Sequence, residues 1–452
     1  MKILLIQSHL GRICDQKFPL FPIGLSYIAQ ALKKHEVRIL DLNFWDLPRA
    51  YKKLEEELIN FDPDIAGLSI RNIDTTQRTD IFYYFNTVQP TARLIKKVSP
   101  GIKLLVGGPG YSVFAREIME RIPEFDFGIY LEGDESTPEL IDNIDSPDSV
   151  KGIYIKGKNS VVFTGKRALP DFRKLSAPAR ESHIIDIKKY IGATACNIGI
   201  QTKRGCVLEC SYCGYPFLTG RKLRIRTPES VVDEIESLIS FGIKTFFFVD
   251  NIFNVPKSHA MEICKEITRR NLDVKWTAWY EIKNMDEELL LAAKKAGCIH
   301  FGFSPDAAND KALAILKKGI TRNDIDECIL LVRKHKVRAG FNLFILPEMS
   351  PREIIQSFIL NFKIPLILRF KGGGSIGWIR IEPHTAIHKM VIQNGYLKKD
   401  TNLFPEKEKK LSELFYYDHS HPLIDRLLIF VAYTLRERIK PIVKKIFIRA
   451  QS

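Results

Sequence analysis

The first third of the chain alternates short apolar runs with longer stretches in which apolar residues recur every three or four positions. KILLIQ (2–7), VRILDLN (37–43), IAGLSI (65–70), IKLLVGG (102–108) and FGIYLEG (127–133) read as buried strands. Helical periodicity fills the gaps, from Pro22 to Lys34, from about Arg49 to Ile59, and in a stretch ending near Lys97. Strands separated by helices of this length predict βαβ units and a parallel sheet. In such sheets a ligand lies outside the carboxyl ends of the strands. Here those ends carry Gln7-Ser8-His9, Ser69 with Arg71-Asn72, Gly107-Gly108-Pro109 and Glu132-Gly133-Asp134-Glu135. Gly107 and Gly108 either admit a large ligand close to the backbone or simply turn the chain. No GxGxxG follows the first strand, so a dinucleotide fingerprint is missing.

Residues 151–190 break the alternation with a polar hairpin, GIYIKGKNSVVFTGKR, and a Pro-punctuated linker. From Thr194 the αβ pattern resumes. Strands are expected at ACNIGIQT, 244–250, 274–280, 299–304 and 338–346, with helices over TPESVVDEIESLIS, 257–270, 286–296, 309–317 and 322–335. About five βα units are too few for a closed eight-fold barrel, so the pattern predicts a partial barrel. The expected organisation is a Rossmann-like α/β domain over 1–150, a hairpin and linker over 151–190, a partial (β/α) barrel over 191–370 and a small helical C-terminal region over 371–452. No internal repeat or low-complexity tract appears.

Length and composition fit this picture. At 452 residues the chain has room for two large domains and a smaller third. With 45% hydrophobic and 27% charged residues it has the balance of a soluble globular protein. The longest apolar runs, such as Leu427 to Tyr433, are far shorter than a spanning helix requires. Met1-Lys2 leads directly into the first strand without a signal-peptide pattern, so a cytoplasmic location is expected. A net charge of +15 suits nucleic acid, anionic lipid, phosphate-bearing cofactors or simply a Lys-rich surface.

The cysteines change the picture most. Cys206, Cys210 and Cys213 stand as GCVLECSYC, a C-x3-C-x2-C run directly after a predicted strand. Clustered thiols in a chain without a secretory signal point to metal rather than disulfides. A structural zinc site needs a fourth nearby ligand, and none stands at the right spacing. Cys196, ten residues upstream, falls inside the expected strand, where it reads as a small buried hydrophobe. Three thiolates suit a [4Fe–4S] cluster with one iron left open.

RGCVLECSYC resembles the cluster loop of radical S-adenosylmethionine (SAM) enzymes, with Tyr212 in the aromatic place before the third cysteine. FPIGLSYIAQALKKHEVRILDLN, IAGLSI, LLVGGPG and YLEGDESTPEL resemble the cobalamin-binding domain that precedes the barrel in the B12-dependent subfamily. RTPESVVDEIESL, FFFVDNIF, DEELLLAAKKAGC, LKKGIT and IRIEPHTAIHKMVIQNGYL resemble that subfamily's barrel and ending. Roughly residues 1–400 are covered.

The resemblance implies three cofactors: a [4Fe–4S] cluster, S-adenosylmethionine and cobalamin. It implies a C-methyltransferase that cleaves S-adenosylmethionine reductively and carries a methyl group on cobalamin to an unactivated carbon. The substrate would be a natural product, peptide or lipid. An electron donor such as flavodoxin or ferredoxin is expected, and nucleic acid is not. Cys206, Cys210 and Cys213 would ligate iron. Phe248, Asp250 and Asn251 occupy the place where the family contacts the amino group and ribose of S-adenosylmethionine; a helix cap is the plainer reading of Asp250. Ser304 and Asp306 stand near the family's Glu-Ser pair, so that polar contact would be rearranged. Tyr280 and Glu281 stand where relatives carry an Arg. Either would face the substrate, with Glu281 as a base, unless Glu281 is a surface carboxylate after a buried strand.

In the cobalamin domain the D-x-H-x-x-G motif is incomplete, because Gln7-Ser8-His9-Leu10-Gly11-Arg12 lacks the Asp and sets Gly one place early. His9 is therefore either a cobalt ligand or a backbone-bonded loop histidine. Arg71 is placed to shield the lower face of cobalt without coordinating it, since a guanidinium does not readily lose its proton. The tail from Asp425 to Ala450 is a basic amphipathic stretch, expected to cap the barrel or to lie on an anionic membrane surface. Two other reactions fit the same motifs. One is B12-dependent ring formation or rearrangement without methyl transfer. The other is RNA modification, disfavoured because only Cys14 stands near the N-terminus and the ending is helical.

Overall fold

A computed structural model describes residues 1–12, 19–158, 160–191, 197–418 and 421–434. Cys14, Cys196 and the tail beyond Thr434 lie outside the described residues. The chain divides into two compact units. The first comprises Met1–Thr75, Phe82–Gly205 and Pro216–Arg226; the second comprises Thr76–Ile81, Cys206–Tyr215 and the chain from Thr227 onward.

The first unit is built on a sheet of β1 (Lys2–Gln7), β2 (Glu36–Asp41), β3 (Ile65–Ser69), β4 (Lys103–Gly107), β5 (Phe127–Ile129), β6 (Ile153–Lys156) and β7 (Val161–Phe163), in the order β2-β1-β3-β4-β5-β6-β7. β1 to β5 run parallel, and β6 and β7 add antiparallel at the edge. The expected hairpin, GIYIKGKNSVVFTGKR, is thus part of this sheet. The order reverses between β1 and β3, and this is the switch point where open α/β sheets bind ligands. The intervening helices follow local rules. In Leu47–Phe61, Asp46 caps the start by accepting from the Arg49 amide at 3.0 Å. Ala50, Leu54, Leu58 and Phe61 form its buried stripe, and Asp62 ends it in a left-handed conformation. β5 is shorter than its apolar run suggests, because Tyr130–Glu135 leave the sheet to join a network of buried charges. The unit also contains three short strands, β8 (Gly199–Ile200), β9 (Lys203–Arg204) and β10 (Arg224–Ile225), of which β9 and β10 pair antiparallel.

The second unit carries β11 (Thr245–Phe248), β12 (Lys275–Tyr280), β13 (Cys298–Asp306), β14 (Ala339–Phe344) and β15 (Gly372–Gly377), each pairing parallel with the next. Thr227, Asp286, Asn309, Thr321 and Ser350 each cap the helix that follows, and Thr321 and Ser350 form complete capping boxes. The expected helices and strands from 228 to 346 are present with ends shifted by a few residues, while the strand expected over ACNIGIQT is seen only as Gly199–Ile200 among the described residues. Helix Pro351–Ile367 and β15 extend the partial barrel beyond the expected units. GGGSIG has low strand propensity, which hid β15. Packing explains two of its glycines: a Cβ on Gly372 would collide with the Ala339 carbonyl oxygen, and one on Gly374 with Asn361 Oδ1 of the covering helix. No helix among the described residues is long and apolar enough to cross a membrane.

Candidate active site

Alternation along these strands separates two faces of the second unit's sheet. Phe246, Phe248, Trp276, Ala278, Tyr280, Phe301 and Phe341 are buried. Between them Phe247, Thr277, Trp279, His300, Gly340, Asn342 and Phe344 are only half-buried, so this face is the more open one. On it Ser375 Oγ donates to Asn342 Oδ1 at 2.6 Å.

The cysteine loop is held by the segment that ends β13 and by the turn after helix Asp310–Ile315. The Tyr212 hydroxyl donates to Asp306 Oδ2 at 2.5 Å, and the Tyr212 ring meets Phe344 edge-on. The Ser211 amide donates to the Leu316 carbonyl at 3.0 Å. Lys318 Nζ lies 2.6 Å from Asp306 Oδ2 and 3.7 Å from Cys210 Sγ. Lys318 and Asp306 side chains are 9% and 1% exposed. Burial works against the Lys318 ammonium, but Asp306 and the Cys210 sulfur outweigh it and raise its pKa. Burial also pushes the Cys213 thiol up to about 12. Such a thiol stays protonated until a metal displaces the proton.

In the first unit, Ser69 is half-buried at the end of β3, Arg71 and Asn72 are exposed just beyond it, and Gly107 is half-buried at the end of β4. A Cβ on Gly107 would meet nothing closer than 3.5 Å. Gly108 has φ +100 and a Cβ there would stand 2.6 Å from the Ile70 carbonyl oxygen, so the fold itself requires that glycine.

Several expected site residues have other work. His9 is buried; its Nδ1 accepts from the Gly11 amide at 2.8 Å, so Nε2 carries the proton and donates to the Trp45 carbonyl at 2.9 Å. Neither nitrogen is free for cobalt. Glu132 pairs with Arg204 at 2.8 Å and with Arg224, while Asp134 takes two bonds from Arg204. Gly133 is buried, and a Cβ there would stand 2.9 Å from Thr137 Oγ1. Phe248 stacks on Phe253 in the closed face, so its side chain does not reach the open one. Tyr280 stacks on Phe301 with its hydroxyl 3.4 Å from Cys298 Sγ, and burial raises its pKa well above the usual value. Glu281 is buried and accepts from the amides of Lys283 and Asn284 at 2.9 and 2.8 Å, so it caps a turn and is not a surface carboxylate. Asp306 is consumed by Lys318 and Tyr212. Asp250 is buried, while Asn251 and Ser304 remain half-buried at the carboxyl ends of β11 and β13. The side chains of Tyr280 and Phe248 thus lie on the closed face. The half-buried neighbours Trp279 and Phe247 lie on the open face, and strict alternation is the signal that finds them. Lys318 lies in the LKKGIT motif, but only the fold brings it to Cys210.

Residues 15–141 match the B12 binding domain, and residues 200–359 match the radical SAM superfamily. The chain belongs to the B12-dependent radical SAM enzymes. It is 27% identical over 369 residues to an uncharacterized methyltransferase of Pyrococcus horikoshii, covering 78% of this chain and 76% of that protein. It is 29% identical over 355 residues to an anaerobic magnesium-protoporphyrin IX monomethyl ester cyclase of Cereibacter sphaeroides, covering 74% of this chain and 55% of that protein. Its fold is similar to that of the radical SAM methyltransferase TsrM from Kitasatospora setae bound to tryptophan and a SAM analog. The TM-score is 0.73 at 20% identity, over 87% of this chain and 76% of that one.

The cofactors of this B12-dependent radical SAM enzyme are therefore a [4Fe–4S] cluster, S-adenosylmethionine and cobalamin. The donor set fits the cluster. None of Cys206, Cys210 and Cys213 is in a disulfide, and beside burial the Cys210 and Cys206 sulfurs raise the Cys213 pKa. Among the described residues no group of His, Cys, Asp or Glu converges where one metal ion would sit. A cluster spreads its ligands over several irons and needs no such point. For cobalamin, the exposed Arg71 and Asn72 and the half-buried Gly107 lie at the carboxyl ends of β3 and β4, on one side of the switch point.

Proposed function

We propose that the chain is a cobalamin-dependent radical SAM C-methyltransferase acting on a small molecule, peptide or lipid. The observation carrying this reading is the three-thiol loop clamped at the carboxyl end of a parallel sheet, in a chain that also carries a B12-binding domain. Cys206, Cys210 and Cys213 would hold three irons and leave the fourth open to S-adenosylmethionine. Asp250, Asn251 and Ser304, near the carboxyl ends of β11 and β13, would orient S-adenosylmethionine. Ser69, Asn72, Gly107 and Gly108 would seat cobalamin, with Arg71 shielding its lower face. When bound, the cluster supplies the electron that cleaves S-adenosylmethionine, and cobalamin supplies the methyl carrier. The remaining work is positional: the open face bearing Trp279, Phe247 and Phe344 offers apolar contact, and the Asn342–Ser375 pair offers the polar groups that orient a substrate.

Cyclisation without methyl transfer is the second reading, favoured by the 29% identity to a cyclase. Anaerobic reconstitution with iron, sulfide and cobalamin tests both, with an electron donor of the flavodoxin or ferredoxin class and candidate substrates. A product heavier by one methyl unit, formed with 5′-deoxyadenosine and S-adenosylhomocysteine, is expected. A product of unchanged carbon count would replace methylation by cyclisation, and failure to bind iron would end both readings.

The helix Pro422–Thr434 is tied down through Asp425, which pairs with Arg78 at 2.5 Å. Its outer face leaves Leu423, Leu427 and Phe430 76%, 59% and 63% exposed. An apolar stripe followed by the basic sequence LRERIKPIVKK supports peripheral contact with an anionic membrane. Flotation of the full chain with anionic vesicles, and its loss in a Leu427→Ser/Phe430→Ser variant, is the expected result; equal flotation of both removes the idea.

A further inference from the structure

Three consecutive residues of the cysteine loop are gripped by one stretch of chain. Cys210 meets Lys318 through its sulfur, Ser211 meets Leu316 through its amide, and Tyr212 meets Asp306 through its hydroxyl. Lys318 is the only one of these partners that delivers a positive charge to a thiol. Its ammonium has three N–H donors. One is used by Asp306 at 2.6 Å and one points at Cys210 Sγ at 3.7 Å. The same buried ammonium thus pairs with the Asp306 carboxylate and donates to the Cys210 sulfur. Lys318 follows Lys317, whose φ of +52 turns the chain after helix Asp310–Ile315. The ammonium itself is held by its ion pair with Asp306.

We propose that Lys318 is a positioning residue that sets the reduction potential of the cluster through Cys210, with Asp306 as its counterweight. The inference rests on the reading that Cys210 ligates the cluster. Reduction potentials of iron–sulfur clusters are governed by net charge and by hydrogen bonds to the sulfurs. Reduction adds one negative charge, so a donor and a positive charge at the ligating sulfur favour the reduced state. The carboxylate paired with that ammonium opposes the effect. Removing the ammonium and removing the carboxylate must consequently move the potential in opposite directions. A merely structural role predicts no such opposition, because either loss would loosen the same loop.

The test uses the reconstituted full-length protein without S-adenosylmethionine, in wild-type, Lys318→Gln, Lys318→Arg and Asp306→Asn forms. Iron and sulfide per chain are measured first, and then the midpoint potential, from the paramagnetic signal of the reduced cluster during a redox titration. Lys318→Gln is expected to weaken reduction at least tenfold, a 59 mV fall for one electron. Asp306→Asn should shift the potential upward, and Lys318→Arg should stay near wild type. Fully loaded Lys318→Gln protein with an unchanged potential would overturn the inference, as would shifts of the same sign in Lys318→Gln and Asp306→Asn. Should Lys318→Gln fail to hold a cluster, Asp306→Asn decides, a rise supporting the proposal and no rise refuting it. A wild-type chain that binds no iron or sulfide removes the ligand assignment itself, which the loading measurement detects separately.

Discussion

Replacing Asp134 by Ala should destabilise the first unit severely, although Asp134 contacts nothing catalytic. Its carboxylate takes Nη1 of Arg204 at 2.6 Å and Nη2 at 3.1 Å, while Glu132 is shared between Arg204 and Arg224. The four side chains are only 6% to 10% exposed. Without Asp134, two guanidinium groups are left in a buried site with one carboxylate between them. Breaking a buried pair by removing one partner costs about 3–5 kcal/mol, because the surviving charge is uncompensated. For a unit of this size each kcal/mol lowers the midpoint by roughly 2–4 °C, so a fall of roughly 6–20 °C is expected. Calorimetry of the full chain should show the transition of the first unit moving while that of the second stays. A companion variant, Asp134→Leu with Arg204→Met, removes both charges, and Met can still pack where Arg204 lies over the rings of Tyr27 and Phe172. It should recover much of the loss. A shift below about 2 °C for Asp134→Ala, or a double variant no better than the single one, would refute the reasoning.

Burial and Arg338 hold the His300 pKa below its ordinary value of 6.5. The unfolded chain therefore takes up the proton first, and the second unit should lose stability as pH falls below about 6.5; denaturant titrations of His300→Gln should lack that part of the pH slope. Glu281→Gln should lower 5′-deoxyadenosine formation by less than about tenfold, whereas loss of a general base costs roughly 10²–10⁴. Tyr280→Phe should change stability by no more than about 1.5 kcal/mol, the range for one hydrogen bond, and leave turnover intact. Trp279→Ala on the open face should instead raise KM for the substrate, and unchanged kinetics in that variant would remove Trp279 from the substrate-facing set.

Much of the architecture was legible because it is written in local signals. Strand runs such as KILLIQ, capping residues such as Thr227 and Asp286, and the apolar stripe of Leu47–Phe61 need only neighbours a few positions away. β15 was invisible for the converse reason: three glycines carry no strand signal, and the role of Gly372 and Gly374 appears only against Ala339 and Asn361. The candidate site divides in the same manner. The C-x3-C-x2-C spacing identifies the thiol loop without any structure, since the ligands lie within eight residues of one another. Polar residues at strand ends were recognisable as candidates, but their employment was not. His9, Glu132, Glu281 and Asp306 all carry donors or acceptors suited to a cofactor, and each is engaged by groups of the protein itself.

The sequence by itself determined the two α/β units, the order of their elements and the three thiols, because periodicity, caps and short spacings act over a few residues. Only the tertiary structure decided which charges are spent and which stay exposed. Arg204 lies 70 residues from Asp134, and Lys318 lies 108 from Cys210. Pairings across such distances depend on how strands and turns pack, and no local pattern encodes that.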